Sequence, residues 1–521
     1  MIALSRFSRH LPPAQFLIMN LALGIGHCLV LLNAGAFLPM LPYVTGTMDE
    51  GLPYVVWAQS DYFTALGCAF LIARPLMRRY GPKRVSLAAY LLFSLASLGC
   101  LLSAHQLTSF IGFRILQGFA AGLSVVPSFF LLLEYYHLEK QPFATALWGL
   151  SVFIPFSVGP ALGGWFAYVL GDWRLLFFAS FLISFLVAAI LWALLADWED
   201  VTSPDTGILW PSLLFVAFSC CALLTQKFFD IGLLSDLSSR YHQLWIVGFI
   251  LLPVLLGFAY GNRRSPVPLI DTSLFLQRNF SFGLLIFCLS FMLIQSAAVQ
   301  YIIRLQLVDG YPAWQVGLLF VPLFIFSKPL SLATQHQIQK HKDPRLIATL
   351  SLLTLALSFW WISSYLRPAT WEFLLLPQFL LGAALGPFFS SMTTLTLGHI
   401  RQEQQLPALD LLNGIRNLSA GLAITFSDIG WDRLQDHEWH RLNTPDVSNA
   451  LRFLSDSVIP AKRIQTEMEW VSGLLTFNDF FQILALGTLP FVILVWFLHR
   501  PPLTRKNASD LAILENLGEE P

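Results

Sequence analysis

Asp61 lies seven residues into an apolar run, in Trp57-Ala-Gln59-Ser60-Asp61-Tyr62. Desolvation disfavours the charged form of a carboxyl, so an acid in such surroundings is a candidate proton carrier or counter-charge for a cationic substrate. The alternative is an acid near enough to the headgroups to stay hydrated. Arg114 heads a second constellation, Arg114-Ile-Leu-Gln117-Gly118-Phe-Ala-Ala-Gly122. At helical spacing, positions 114, 117, 118 and 122 share one face, carrying a cation, an amide and two glycines that admit a neighbouring helix. A guanidinium there needs an acidic or a carbonyl partner. An acidic partner would make the stripe a proton-operated switch, and neutral partners would make it a fixed network. Pro155 followed by Gly159-Pro160-Ala-Leu-Gly163-Gly164-Trp165 joins a helix-kinking proline to a flattened glycine face, the geometry of a hinge. Asn33, Gln59, Gln117, Lys328, Asn413 and Arg416 also fall in apolar runs and are candidates for lining or gating a cavity. Snorkelling to an interface would explain Lys328 equally well.

The elements that hold these residues follow from composition. The 521 residues are 56% hydrophobic and 12% charged, with zero formal net charge, against about 25% charge in soluble domains. Disorder requires low hydrophobicity and high net charge, and nucleic-acid binding requires a basic footprint, so both classes are excluded. Apolar runs of about 20 residues match the length needed to cross a bilayer. Backbone groups in lipid must be satisfied within the segment, so each run is a helix. Spans are expected near 16–41, 54–76, 84–104, 108–134, 142–170, 173–196, 208–229, 241–260, 280–305, 312–335, 344–365, 371–398, 406–432 and 477–499. The spacing therefore predicts an all-α polytopic membrane protein with fourteen transmembrane helices. The N-terminal run carries Arg6 and Arg9 ahead of it, as a signal peptide would, but continues too far and lacks a small-residue cleavage site, so it is expected to be a retained span.

An even count places both termini on one side. Links on that side hold Arg74, Arg78, Arg79, Lys83 and Arg84, then Arg263, Arg264 and Arg278, then Lys340, Lys342 and Arg345, whereas the opposite links hold isolated cases such as Arg174 and Arg367. The positive-inside rule makes both termini cytoplasmic. Between the last two spans, residues 433–476 mix charge with Trp439, Leu451, Phe453 and Trp470, which predicts amphipathic helices at the membrane surface. That loop is either a solvated cap over the outer mouth or a docking site for a partner. Its His437 and His440 are too few for a metal site. Cys28, Cys68, Cys100, Cys220, Cys221 and Cys288 all fall in apolar runs without C-x-x-C spacing and read as packed thiols.

Taken together, Arg114-Ile-Leu-Gln-Gly and Gly159-Pro-Ala-Leu-Gly-Gly-Trp with Asp172-Trp173-Arg174 resemble the fourth- and fifth-helix motifs of major facilitator superfamily drug:proton antiporters. Arg278-Asn279-Phe280, Asn413-Gly-Ile-Arg416-Asn-Leu-Ser-Ala-Gly421 and Asn478-Asp479 extend the likeness along nearly the whole chain, and the span count narrows it to the fourteen-span EmrB/QacA-like branch. The resemblance implies two pseudo-symmetric six-helix bundles around a central cavity, in a 6+2+6 arrangement: a bundle at 1–200, two linker helices at 201–272, a bundle at 273–500 and a cytoplasmic tail at 501–521. It implies export driven by proton entry, with Arg114 in the coupling role and Gly159, Pro160, Gly163 and Gly164 at the bundle interface.

The departures from the pattern are specific. Asn33 stands where the branch usually has an acid, which leaves Asp61 as the substitute proton carrier. The loop after the second span has Arg74 and Arg78 in place of the usual Gly and Asp, while Gly81, Lys83 and Arg84 are retained, so the inner gate must use other pairs. Pro155 replaces a glycine.

The expected function is export of amphipathic small molecules across the cytoplasmic membrane of a bacterium, coupled to protons and without a cofactor. Two other readings remain: a dedicated exporter of one metabolite such as a siderophore, and a transport-inactive scaffold or receptor. A periplasmic adaptor on 433–476 is a candidate partner, and nucleic acid is not. The sequence has no H-E-x-x-H, G-x-S-x-G or phosphate-binding loop, so it lacks the motifs of metal hydrolysis, acyl transfer and direct ATP use.

Overall fold

The structure, a computed structural model, describes residues 11–137, 140–141, 143–144, 148, 158–195, 215–217, 219, 241–264, 268–364, 370–442 and 461–501. Pro155, Cys220, Cys221, most of the expected 208–229 span, residues 443–460 of the expected 433–476 loop and residues 502–521 of the expected tail lie outside the described residues. The described chain is helical, with no strand among the described residues. Its helices are α1 (Pro13–Ala36), α2 (Leu41–Met48), α3 (Leu52–Tyr80), α4 (Pro82–Leu102), α5 (Leu107–Glu134) and α6 (Leu175–Leu194), then α7 (Tyr241–Arg264) and α8 (Arg278–Leu307). They continue as α9 (Ala313–Leu318), α10 (Val321–Gln339), α11 (Pro344–Ser363), α12 (Trp371–Leu397), α13 (Gln402–Leu442) and α14 (Ala461–Val495). Ten helical segments among the described residues are long and apolar enough to cross a bilayer.

Prolines and one glycine set the boundaries. Pro53, Pro82, Pro322 and Pro344 lie in the first turns of α3, α4, α10 and α11, where the missing N–H costs nothing. Gly81 has φ +83°, the conformation that lets α3 reverse directly into α4. Pro39 and Pro42 break the first expected span: α1 stops at Ala36, a 3₁₀ turn spans Leu38–Met40, and α2 continues to Met48. Pro322 likewise divides α9 from α10.

The loop expected at 433–476 is partly replaced by longer helices. α13 runs 41 residues to Leu442, about 60 Å at 1.5 Å per residue, and α14 begins at Ala461 rather than near 477. Neither Arg433–Leu442 nor Ala461–Thr476 contains a proline, and the only glycine is Gly473, so the helices that cross the membrane continue instead of giving way to separate surface helices.

One packing device recurs in both halves. A Cβ at Gly118 or Gly122 of α5 would lie 2.2 Å from the Tyr62 or Leu66 carbonyl oxygen of α3. A Cβ at Gly382 or Gly386 of α12 would lie 2.3 or 2.0 Å from the Leu323 or Ser327 carbonyl oxygen of α10. Each pair is spaced i, i+4, the small-x-x-x-small spacing that lets helices approach closely where burial of apolar surface supplies no driving force. Cys68, Cys100 and Cys288 are buried and Cys28 is half-buried.

Candidate functional site

In the first bundle, Arg114 is fully buried on α5 and meets neutral groups on several sides. Its Nη1 donates to Gln117 Oε1 at 2.7 Å, its Nη2 to Gln59 Oε1 at 2.8 Å and its Nε to the Ala58 carbonyl at 3.4 Å. Its Cζ stands 4.5, 4.3 and 5.8 Å from the ring centroids of Phe37, Tyr62 and Phe177. The network continues outward: Gln59 Nε2 donates to the Ala34 carbonyl at 2.5 Å, Gln117 Nε2 to Ser97 Oγ at 2.8 Å and Asn33 Oδ1 at 3.4 Å, and Asn33 Nδ2 to Ser180 Oγ at 2.9 Å. Polar side chains on α1, α3, α4, α5 and α6 are thus tied through one cluster. Asn33, Gln59, Arg114 and Gln117 come together as one unit. Asp61 is equally buried, on α3, but no ion pair joins it to Arg114 among the described residues. Ser97 and Ser180, which the sequence reading did not single out, complete the cluster.

The two bundles meet along α3 and α13. A Cβ at Gly421 would fall 2.3 Å from Thr64 Oγ1 and 2.7 Å from the Ser60 carbonyl oxygen, on either side of Asp61, and one at Gly67 would fall 2.7 Å from the Gly414 carbonyl oxygen. At the end carrying the basic links, Arg74 of α3 is ion-paired with Asp410 of α13. Arg78 is adjacent on α3. Lys83 instead donates to the Leu195 carbonyl within the first bundle, and Arg84 is exposed. At the opposite end the expected hinge makes contact in two directions. A Cβ at Gly163 would fall 1.9 Å from the Ala36 carbonyl oxygen of α1, whereas one at Gly164 would fall 2.3 Å from the Ala313 carbonyl carbon of α9. Reciprocally, Gly317 of α9 abuts Pro160 and Ala161, while Gly159 faces the Leu32 carbonyl.

Two halves of repeated design, joined by helix seams, are matched by a family description, Major Facilitator Superfamily, over residues 23–424. The chain belongs to the major facilitator superfamily. It is similar to multidrug export protein EmrB of Haemophilus influenzae, at 26% identity over 95% of this chain and 98% of that protein. It is also similar to probable multidrug resistance protein EmrY of Escherichia coli, at 28% over 94% and 96%. Among solved structures, a bacterial homologue of the human lysosomal transporter Spinster superposes with a TM-score of 0.60 at 12% identity, covering 98% of this chain and all of that one. The chain is therefore a transporter of the facilitator fold and an integral membrane protein, not an enzyme.

In the second bundle of this facilitator fold the cations are less uniformly satisfied. The Arg304 side chain, near the end of α8, is 2% exposed and pairs at 3.3 Å with Asp309, whose side chain is buried; the Arg304 Cζ lies 4.1 Å from the Phe477 centroid. Burial pushes the Asp309 carboxyl above the usual carboxylate range, and Arg304 pulls it part-way back. Beside this pair, a pocket of about 230 Å³ opens between the bundles, lined by Tyr43, Tyr168, Gln306 and Tyr311 among others. Arg416 is half-buried on α13, its Cζ 5.6 Å from the Phe291 centroid. Asn413 and Asn417 are half-buried beside it, and Lys328 is half-buried on α10. The sequence reading missed Arg304, Asp309 and Asp410. Arg304 and Asp410 are both legible as charges inside expected spans, but the partner of Asp410 lies 336 residues away and has no local signal.

Proposed function

We propose that this protein is a proton-coupled exporter of amphipathic small molecules that works by alternating access across the cytoplasmic membrane. The observation that carries the reading is the seam: the halves touch at both ends through different contacts, an ion pair with Arg74 and Asp410 at one end and the close backbone approaches of Gly164 and Gly317 at the other. Contacts of two kinds can be broken one at a time, which is what rocking of two bundles about a central site requires. The likeness over nearly the full chain to EmrB, a multidrug export protein, and to EmrY, a probable multidrug resistance protein, supports multidrug efflux.

In this reading the basic end and both termini face the cytoplasm, so Arg74 and Asp410 form the inner latch, with Gly81 holding its loop. Residues 1–200 and 273–500 are the two six-helix bundles, 201–272 supply two linker helices that bring the spans to fourteen, and 501–521 form the tail. Asp61 is the proton carrier. Arg114 holds α3 in place through Gln59, and Pro155, Gly159, Pro160, Gly163 and Gly164 form the outer pivot. The α13 and α14 extensions, which project beyond the outer surface, supply a docking surface for a periplasmic adaptor. Replacing Asp61→Asn is expected to abolish pH-gradient-driven efflux from proteoliposomes while the protein stays folded; undiminished coupling in that variant would overturn the assignment.

A further inference from the structure

Arg416 stands in surroundings that do little to compensate its charge. Among the described residues no carboxylate pairs with it, and its Nε has no hydrogen-bond acceptor. A cation–π contact such as that with Phe291 does not by itself offset the cost of withdrawing a guanidinium from water. Phe291 belongs to a continuous aromatic wall. Its ring lies 6.1 Å from that of Phe389, which lies 5.6 Å from Phe287 and 5.5 Å from Phe388. Phe287 and Phe388 are buried, whereas Phe291 and Phe389 are half-buried, so the wall has a packed back and an open front. Leu422 and Phe426, 40% and 45% exposed, mark one face of α13. By helical periodicity, Asn413, Arg416 and Asn417 lie away from it.

A guanidinium that no carboxylate pairs with among the described residues, two amides and a half-buried aromatic wall are complementary to a molecule with an anionic head and an apolar body. Arginine binds carboxylates through paired charge-assisted hydrogen bonds, and apolar walls with few placed polar groups are how small-molecule sites are built. We propose that Arg416 reads the head of amphipathic organic anions, carboxylates with an aromatic or alkyl body, and that Phe291 and Phe389 receive the body. That such a ligand is cargo rests on the export reading; that it binds here does not.

The test is equilibrium binding to the full chain in lipid nanodiscs, using three probes that share an octylphenyl body and end in a carboxylate, a carboxamide or a trimethylammonium. The carboxylate is expected to bind about ten-fold more tightly than the carboxamide, with the trimethylammonium weakest. Arg416→Gln is expected to erase the carboxylate preference while carboxamide binding persists, and Arg416→Lys to retain part of it. That differential readout is insensitive to a general loss of folded protein. Equal affinities, preference for the cation, a preference that survives Arg416→Gln, or no binding of any probe would each overturn the proposal. If efflux were absent but the Arg416-dependent preference present, the export reading alone would fail. If cationic or neutral compounds were exported and Arg416→Gln changed nothing, only the anion site would fail.

Discussion

Arg114 in the first bundle and Arg416 in the second both lie against aromatic side chains, yet their surroundings differ. Arg114 has three acceptors and three rings, and the amides that accept from it are themselves anchored to α1 and α4, and through Asn33 to α6. Arg416 has one ring, and an Nε without an acceptor. The first arrangement resolves the cost of a buried charge internally and fastens helices together. The second leaves that cost outstanding, which is what a site that gains its counter-charge from a ligand must do. The contrast shows that a charge in lipid does not by itself separate structure from function; the completeness of its partner set does.

The sharpest way to break this comparison is to remove each guanidinium. Arg114→Met would leave the Gln59 and Gln117 acceptors buried without a donor and is expected to lower stability by about 2–5 kcal/mol. Arg416→Met removes a charge that is poorly compensated, so its stability should lie within about 1 kcal/mol of the parent or above it. Thermal unfolding of both variants in nanodiscs measures the difference, and similar losses would erase the distinction drawn between the bundles.

Glycines sharpen it on a smaller scale. Gly118 packs within the first bundle and Gly164 packs across to α9, so a methyl group should have different consequences at the two places. Gly118→Ala meets the Tyr62 carbonyl inside a seam that does not open and is expected to cost about 1–3 kcal/mol of stability. Gly164→Ala can relieve its clash by letting the bundles part at the end away from the basic links. A shift of about 1 kcal/mol changes the open population about five-fold. Labelling of a cysteine introduced at Tyr43 by a membrane-impermeant maleimide should rise accordingly, in a background without native cysteines. Unchanged labelling would mean that the Gly164 contact is not a gate.

Much of this was legible in the sequence because lipid leaves the chain few choices. Run length gave the helices, and the stripe 114, 117, 118, 122 lies on one face as its spacing requires, with both glycines against α3. What the spacing could not supply was the partner set of Arg114. Of the two alternatives it left open, acidic or neutral partners, the structure realises the neutral one, through amides whose positions depend on three other helices. The same applies to Arg74 and Asp410, unremarkable in isolation. The reach of α13 to Leu442 is not legible in the hydropathy pattern, because charge ends an apolar run whereas helix propensity does not stop at the membrane surface.

The smallest expected effect compares a device that occurs once in each bundle, an aspartate two residues ahead of an arginine. Asp172 accepts from the Arg174 amide at 3.0 Å and from its Nε at 2.8 Å, and Asp343 accepts from the Arg345 amide at 3.0 Å and from its Nη2 at 2.8 Å. Bonds from the arginine hold each carboxyl below its ordinary range. A depressed value in the folded state means a contribution that is complete above the unfolded value of about 4 and is lost as pH falls through the folded one. The Asp172 pair is 32% and 39% exposed, against 17% and 24% for the Asp343 pair, so solvent screens the first more strongly. Asp343 also accepts from the Arg345 amide at the start of α11, and losing that cap costs about 0.5–2 kcal/mol. Asp343→Asn, which retains a capping oxygen and loses only the charge, is expected to cost less than about 1 kcal/mol at neutral pH, and Asp172→Asn less again. Stability profiles between pH 3 and pH 7 should then converge on the parent at the acid end for both variants. A larger loss for Asp172→Asn would mean that exposure does not set the ranking of these two pairs.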